Sequence, residues 1–95
     1  MKYSVNEWDI DRFRRSHTKK KKYDAILINR DTGEEAIVPF GNKDYEQYKD
    51  STGLGLWSHK DHNDPKRREL FLARFQKQID PDYWSPASLS AVFLW

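Results

Sequence analysis

Residues 23–40, "YDAILINRDTGEEAIVPF", constrain this chain most. Two runs rich in β-formers flank Asp31-Thr32-Gly33, where glycine supplies a position that takes positive φ. The pattern predicts a β-hairpin. Its returning strand, "EEAIVPFG", should end at Pro39 or lie at a sheet edge, because proline has no N–H to give to a ladder. Ala25 and Leu27 face one side while Ile26 and Ile28 face the other, so both faces need cover. A two-stranded ribbon is marginal on its own. The hairpin therefore implies packing partners elsewhere in the chain, with room for a third short strand.

Two helices are signalled downstream. Asp64 is an N-cap residue and Pro65 occupies the first helical position, where a missing N–H costs nothing, so a helix should run from 65 to about 78. On a helical wheel Phe71, Leu72, Phe75 and Ile79 gather on one face, expected to pack on the hairpin. Lys66, Arg67, Arg74 and Lys77 gather on the other. Ser85 followed by Pro86 predicts a short terminal helix with Leu89, Val92 and Phe93 as its buried stripe. Between hairpin and helix, residues 41–64 are loop-like, punctuated by Gly41, Gly53 and Gly55. At the other end of the chain, Ser4 and Glu7 have capping-box spacing and predict a short helix from Val5 to Arg15. Its apolar residues Val5, Trp8, Ile10 and Phe13 spread over more than half the helical circumference, a poor stripe. The fold class expected is α+β: a small hairpin or sheet packed against one amphipathic helix and a short C-terminal helix, with a basic N-terminal arm.

A chain of 95 residues is one small domain, and only 37% of them are apolar. Fourteen aromatic side chains compensate, each burying a large area. Cysteine is absent, which excludes disulfides, thiolate metal sites and cysteine nucleophiles. The longest apolar runs, 25–28 and 91–95, are far short of a membrane span, and charged residues interrupt any secretory signal. A soluble protein is expected.

Charge is distributed unevenly. Residues 1–11 hold one basic and three acidic side chains, residues 12–22 seven basic and no acidic, and residues 23–95 nine basic against twelve acidic. The expected organisation is a basic arm over 1–22 ahead of a compact, mildly acidic domain over 23–95. Arg12, Arg14, Arg15, Lys19, Lys20, Lys21 and Lys22 are the candidate contacts to an anionic partner, since clustered cations neutralise phosphates and release counterions. The helix cations Lys66, Arg67, Arg74 and Lys77 are a second candidate strip. Three occupants compete for the arm: nucleic acid, an acidic protein surface, or solvent alone. Trp8, Phe13 and Trp95 are candidate anchors to a protein partner.

The segment "HKDHNDP" holds His59, Asp61, His62 and Asp64, all metal ligands by type, and its "DHNDP" resembles the opening of HNH nucleases. The following helix offers no later Asn or His as a second ligand and there are no zinc-binding cysteines, so a polar turn whose Asp64 caps the helix is the favoured reading. The "GLG" at 53–55 lacks the lysine and spacing of a phosphate loop. No catalytic residue, metal or cofactor is implied.

"KKKYDAILIN" with its following DTG, "VPFGNKDYEQYKD", "HKDHNDPKRRELFLARF" and "YWSPASLSAVFLW" together resemble a family of small uncharacterised proteins of large DNA viruses and tailed phages. The shared features are a strand pair ending in Phe-Gly, a tyrosine-containing link, a His-x-Asp segment before an Arg-rich helix, and a Ser-x-x-Leu-Trp-like terminus. The chain departs in having Phe75 where relatives tend to show His, and in its longer arm. The resemblance implies a viral protein without assigned catalysis. The function expected is a non-enzymatic, virion-associated or minor capsid protein whose arm contacts DNA or an acidic neighbouring subunit, located in the virion and in the cytoplasm or nucleus of the infected cell. Its partners would be other virion or capsid proteins, with DNA as the alternative contact of the arm, and with no membrane and no small-molecule substrate. The alternatives are a free, sequence-nonspecific DNA-binding protein and an HNH-like metal-dependent nuclease.

Overall fold

Burial on both faces makes residues 22–27 the centre of the molecule, and in the computed structural model, which describes residues 2–95, all six are buried. They belong to β2 (Lys21–Asn29), flanked by β1 (Trp8–Arg15) and β3 (Glu35–Asn42) in one antiparallel sheet of order β1-β2-β3. The hairpin forms as expected, with Gly33 at φ 74° in its turn. Pro39 lies within β3 rather than ending it. That is tolerated because β3 is an edge strand.

The first strand replaces the helix expected over Val5–Arg15. Ser4 does cap a turn, its carbonyl accepting from the Glu7 and Trp8 amides at 3.1 and 2.9 Å, but the turn is not propagated. The chain extends instead and pairs with β2, Trp8 opposite Asn29 and Phe13 opposite Ala25. A register shift between Ile10 and Arg12 inserts Asp11 as an extra residue. Trp8 and Ile10 precede that bulge and Phe13 follows it, so strict alternation is broken and the apolar spacing imitates a helix. The separation of a 1–22 arm from a 23–95 body also runs through the sheet, since residue 22 lies inside β2.

The sheet's inner face builds the core. Tyr23, Ala25 and Leu27 of β2 meet Val38 and Phe40 of β3, Trp8 of β1, and Leu89 and Leu94. The covering helix is α2 (Pro86–Phe93), which packs on β3. Ser85 caps it, its hydroxyl accepting from the Ser88 amide at 3.1 Å. Val92, expected in the buried stripe, is 60% exposed, while Leu94 beyond the helix is fully buried. The helix α1 (Pro65–Phe75) starts where expected, with Asp64 accepting from the Lys66 amide at 2.9 Å, and stops three residues short of 78. It buries no residue. Its apolar face does not rest on the hairpin as expected. Phe71 stacks on Trp95 instead, with centroids 4.2 Å apart and rings 3° from parallel. The two parts make one α+β unit, and among the described residues no helix is long and apolar enough to cross a membrane.

Candidate functional site

The candidate cations separate into three groups once folded. Arg12 and Arg14 lie on the outer face of the sheet and are spoken for: Arg12 pairs with Asp11 and approaches Glu35 at 3.8 Å, and Arg14 Nε donates to Asp24 at 3.1 Å. Lys22 is buried, which corrects its assignment to an anionic grip. Its ammonium donates to the Tyr45 carbonyl at 2.7 Å and to Gln47 Oε1. Burial, with Lys60 nearby, lowers the Lys22 ammonium to about 8. Lys19, Lys20, Lys21 and Arg15 form the third group, which has no acidic partner among the described residues.

This third group sits on and beside the turn joining β1 to β2, which is hydrogen-bonded to the buried Asp24. Asp24, wholly buried, accepts from Ser16 Oγ at 2.8 Å, from the His17 amide at 3.1 Å and from His17 Nδ1 at 2.7 Å. Burial alone would raise the Asp24 carboxyl, but these hydrogen bonds and that from Arg14 outweigh it and hold the group below its ordinary value. The Lys43 amide donates to the Lys20 carbonyl at 3.2 Å, bringing one more lysine to the same end of the sheet. Lys43 was not singled out in the sequence, because its place beside Lys20 depends on strand pairing.

A cleft of about 760 Å³ opens next to this turn, between the end of the β2–β3 ladder, α1 and α2. Lys21, Arg67 and Arg74 line it, so one surface lysine of the first basic strip and two cations of the second face one space. Arg67 is held by Glu46 at 3.0 Å, while Arg74 lies over the Phe75 ring, 5.3 Å from its centroid. Lys66 pairs with Glu69 at 3.9 Å away from the cleft, and Lys77 lines a different, smaller cavity with Tyr83 and Trp84.

The aromatic anchors are internal. Trp8 is 4% exposed in the core, which corrects its assignment as a partner anchor. Phe13 packs edge-on against Phe40 and Phe93 at 5.8 and 4.7 Å. Trp95 is half-buried against Phe71 and forms part of the cleft wall.

Three of the four candidate ligands in "HKDHND" are used by the fold, while His59 is exposed beside Trp57, ring centroids 5.7 Å apart. Asp61 accepts from Gln47 Nε2 at 2.6 Å and from the Asp50 amide at 2.9 Å, and Asp64 caps α1. His62 Nδ1 accepts from the Asp64 amide at 2.9 Å, which puts the proton of the neutral ring on Nε2. That buried Nε2 has no hydrogen-bond partner. Burial, together with the Arg67 charge, pushes the His62 pKa down. Among the described residues no three His, Asp or Glu side chains converge as a metal site.

Sequence reasoning missed the polar network under the lysine run. Gln47 is fully buried and bridges Lys22, Asp61 and the Trp57 carbonyl, the last at 2.7 Å. Tyr23 OH donates to Asp50, and burial with that acceptor raises the phenol to about 12. Burial opposes ionisation of Asp50, but bonds from Tyr23 and Thr52 leave its pKa lowered. Nothing in a glycine-punctuated loop marks Gln47 as a core residue. No family model, curated protein or solved structure matches this chain.

Proposed function

We propose that the protein is a non-enzymatic, virion-associated DNA-contacting module, gripping the phosphate backbone through the β1–β2 turn. The carrying observation is the set Lys19, Lys20 and Lys21, free of acidic partners among the described residues and mounted on a turn pinned by Asp24. Lysines on a hydrogen-bonded turn bind phosphates with less backbone ordering cost than lysines on a flexible tail. The grip is therefore a fold-borne turn with Lys43 and Arg15 beside it, and Arg12, Arg14 and Lys22 contribute to stability. The virion assignment is supported by the family resemblance of the hairpin, link and C-terminal motifs. The absence of catalysis is supported by the engagement of Asp24, Asp50, Asp61 and Asp64 in structural hydrogen bonds.

Two measurements test this. Purified protein should bind duplex DNA with a log–log salt slope that becomes shallower by roughly 2 to 3 in Lys19→Gln/Lys20→Gln/Lys21→Gln, about 0.9 for each phosphate no longer neutralised. An unchanged slope would remove the turn from the interface. Fractionation of purified particles should find the chain in the virion, and its absence there would end the structural role.

A further inference from the structure

We infer that the cleft between α1, α2 and the β2–β3 ladder receives an unpaired nucleobase, so that the preferred ligand is single-stranded nucleic acid. This rests on the phosphate-contacting reading above and adds to it a choice of substrate.

A cluster of lysines alone reads only phosphate and does not distinguish one strand from two. The cleft adds what a base requires. Its volume of about 760 Å³ falls within the range of small-ligand sites. Phe71, Phe75 and Trp95 contribute aromatic surface to its wall, and Tyr45 and Leu70 line it while remaining 67% and 58% exposed. Among the described residues Tyr45 is the one Phe, Tyr or Trp side chain left exposed; the others are buried or half-buried.

Tyr45 is held in place without using its ring. Its carbonyl accepts from Lys22, and its amide donates to the Asn42 carbonyl at 3.2 Å. The phenol is thus a free stacking surface on a fixed backbone, the arrangement by which single-strand binders hold successive bases. Charge agrees. Lys21 and Arg74, both without acidic partners among the described residues, line the same cleft, and Lys21 continues the series Lys19–Lys20 of the turn. A strand whose phosphates follow that series brings its bases to the cleft. A paired base remains inside the duplex stack and cannot enter.

The test uses the full chain and anisotropy of a labelled oligothymidine of about ten nucleotides, compared with a duplex of equal length at the same salt. The single strand should bind more tightly. Tyr45→Ala should weaken it about tenfold, leave duplex binding unchanged, and be rescued by Tyr45→Trp, as for loss of one stacked base. The exposed ring makes this substitution safe for folding. Equal affinities for both ligands, or a Tyr45→Ala variant that binds the single strand normally, overturn the inference while the phosphate grip stands. If neither ligand binds, both fall. Binding of an acidic, tyrosine-rich peptide that depends on Tyr45, with oligonucleotide binding that does not, assigns the cleft to protein and also overturns it.

Discussion

Lys22 Nζ donates to the backbone carbonyl of Tyr45 at 2.7 Å, so a lysine in the most cationic run of the chain works as an internal strut. It joins the central strand to the loop that carries the cleft's exposed phenol. Its neighbours Lys19–Lys21 remain at the surface or half-buried. One run of identical residues thus divides into two roles within a single turn of chain.

The Lys22 ammonium sets the alkaline stability profile. It loses its proton near pH 8 in the folded chain and near 10.5 when unfolded. Between these values the unfolded chain binds more protons, so stability should rise from about pH 8 towards 10. Tyr23 acts in the opposite sense, because its phenol ionises near 10 unfolded and near 12 folded, and stability should fall across that interval. Urea midpoints measured from pH 7 to 11.5 should therefore pass through a maximum near 10. Lys22→Met should abolish the rise and Tyr23→Phe the fall; a native profile flat from 8 to 10 would contradict the buried charge.

Asp24 controls the basic turn. Its folded pKa is depressed, so its contribution is full above the unfolded value of about 3.8 and is lost as pH falls through the lower folded one. Asp24→Ala should cost about 2 kcal/mol, since the His17 amide and Arg14 lose a charged acceptor. The His17 and Thr18 amides should then exchange faster by NMR, and duplex affinity should drop although no lysine has changed. Unaltered exchange at these two amides would show that Asp24 does not hold the turn.

Gly41 is required by geometry. It sits at φ 77°, and a Cβ there would lie 2.8 Å from Leu94 Cδ1 and 3.5 Å from Lys22 Cβ. Gly41→Ala should destabilise by about 1–3 kcal/mol, from left-handed backbone strain and displacement of a buried leucine. Thermal unfolding within error of the native protein would argue against the close approach.

His62 ties helix attachment to acidity. Its folded pKa lies below the ordinary 6.5, so the unfolded chain takes up the proton first and stability falls as pH drops below 6.5. Protonation also abolishes acceptance of the Asp64 amide by Nδ1, at the residue that caps α1. His62 packs against Trp95 at 5.1 Å, so the near-UV signal of the Phe71–Trp95 stack should weaken on acidification, at a pH below 6.5 and before the sheet unfolds. His62→Gln, which keeps a side-chain acceptor, should remove this pH dependence, and a signal constant down to pH 4.5 would refute it.

The hairpin, both helix starts and the α+β class were legible in residue order, because turn glycine, capping Asp64 and Ser85, and Pro65 and Pro86 act over a few residues and need no distant partner. The strand character of Trp8–Arg15 was not. The bulge at Asp11 hides its alternation, and Ser4 offers a true capping turn that pairing with β2 overrides.

What the residue order determined by itself was local conformation and the amount of positive charge. Which charges are free was decided by tertiary structure alone. Lys22 is buried because Gln47 and Tyr45, more than twenty residues away, supply its acceptors; Arg14 is neutralised by Asp24 across a strand pair; and Lys21 and Arg74 line one cleft, whose α1 wall is packed on Trp95. Hydrogen bonds and ion pairs act over a few ångströms of space, whatever the separation along the chain, and sequence spacing carries no record of them.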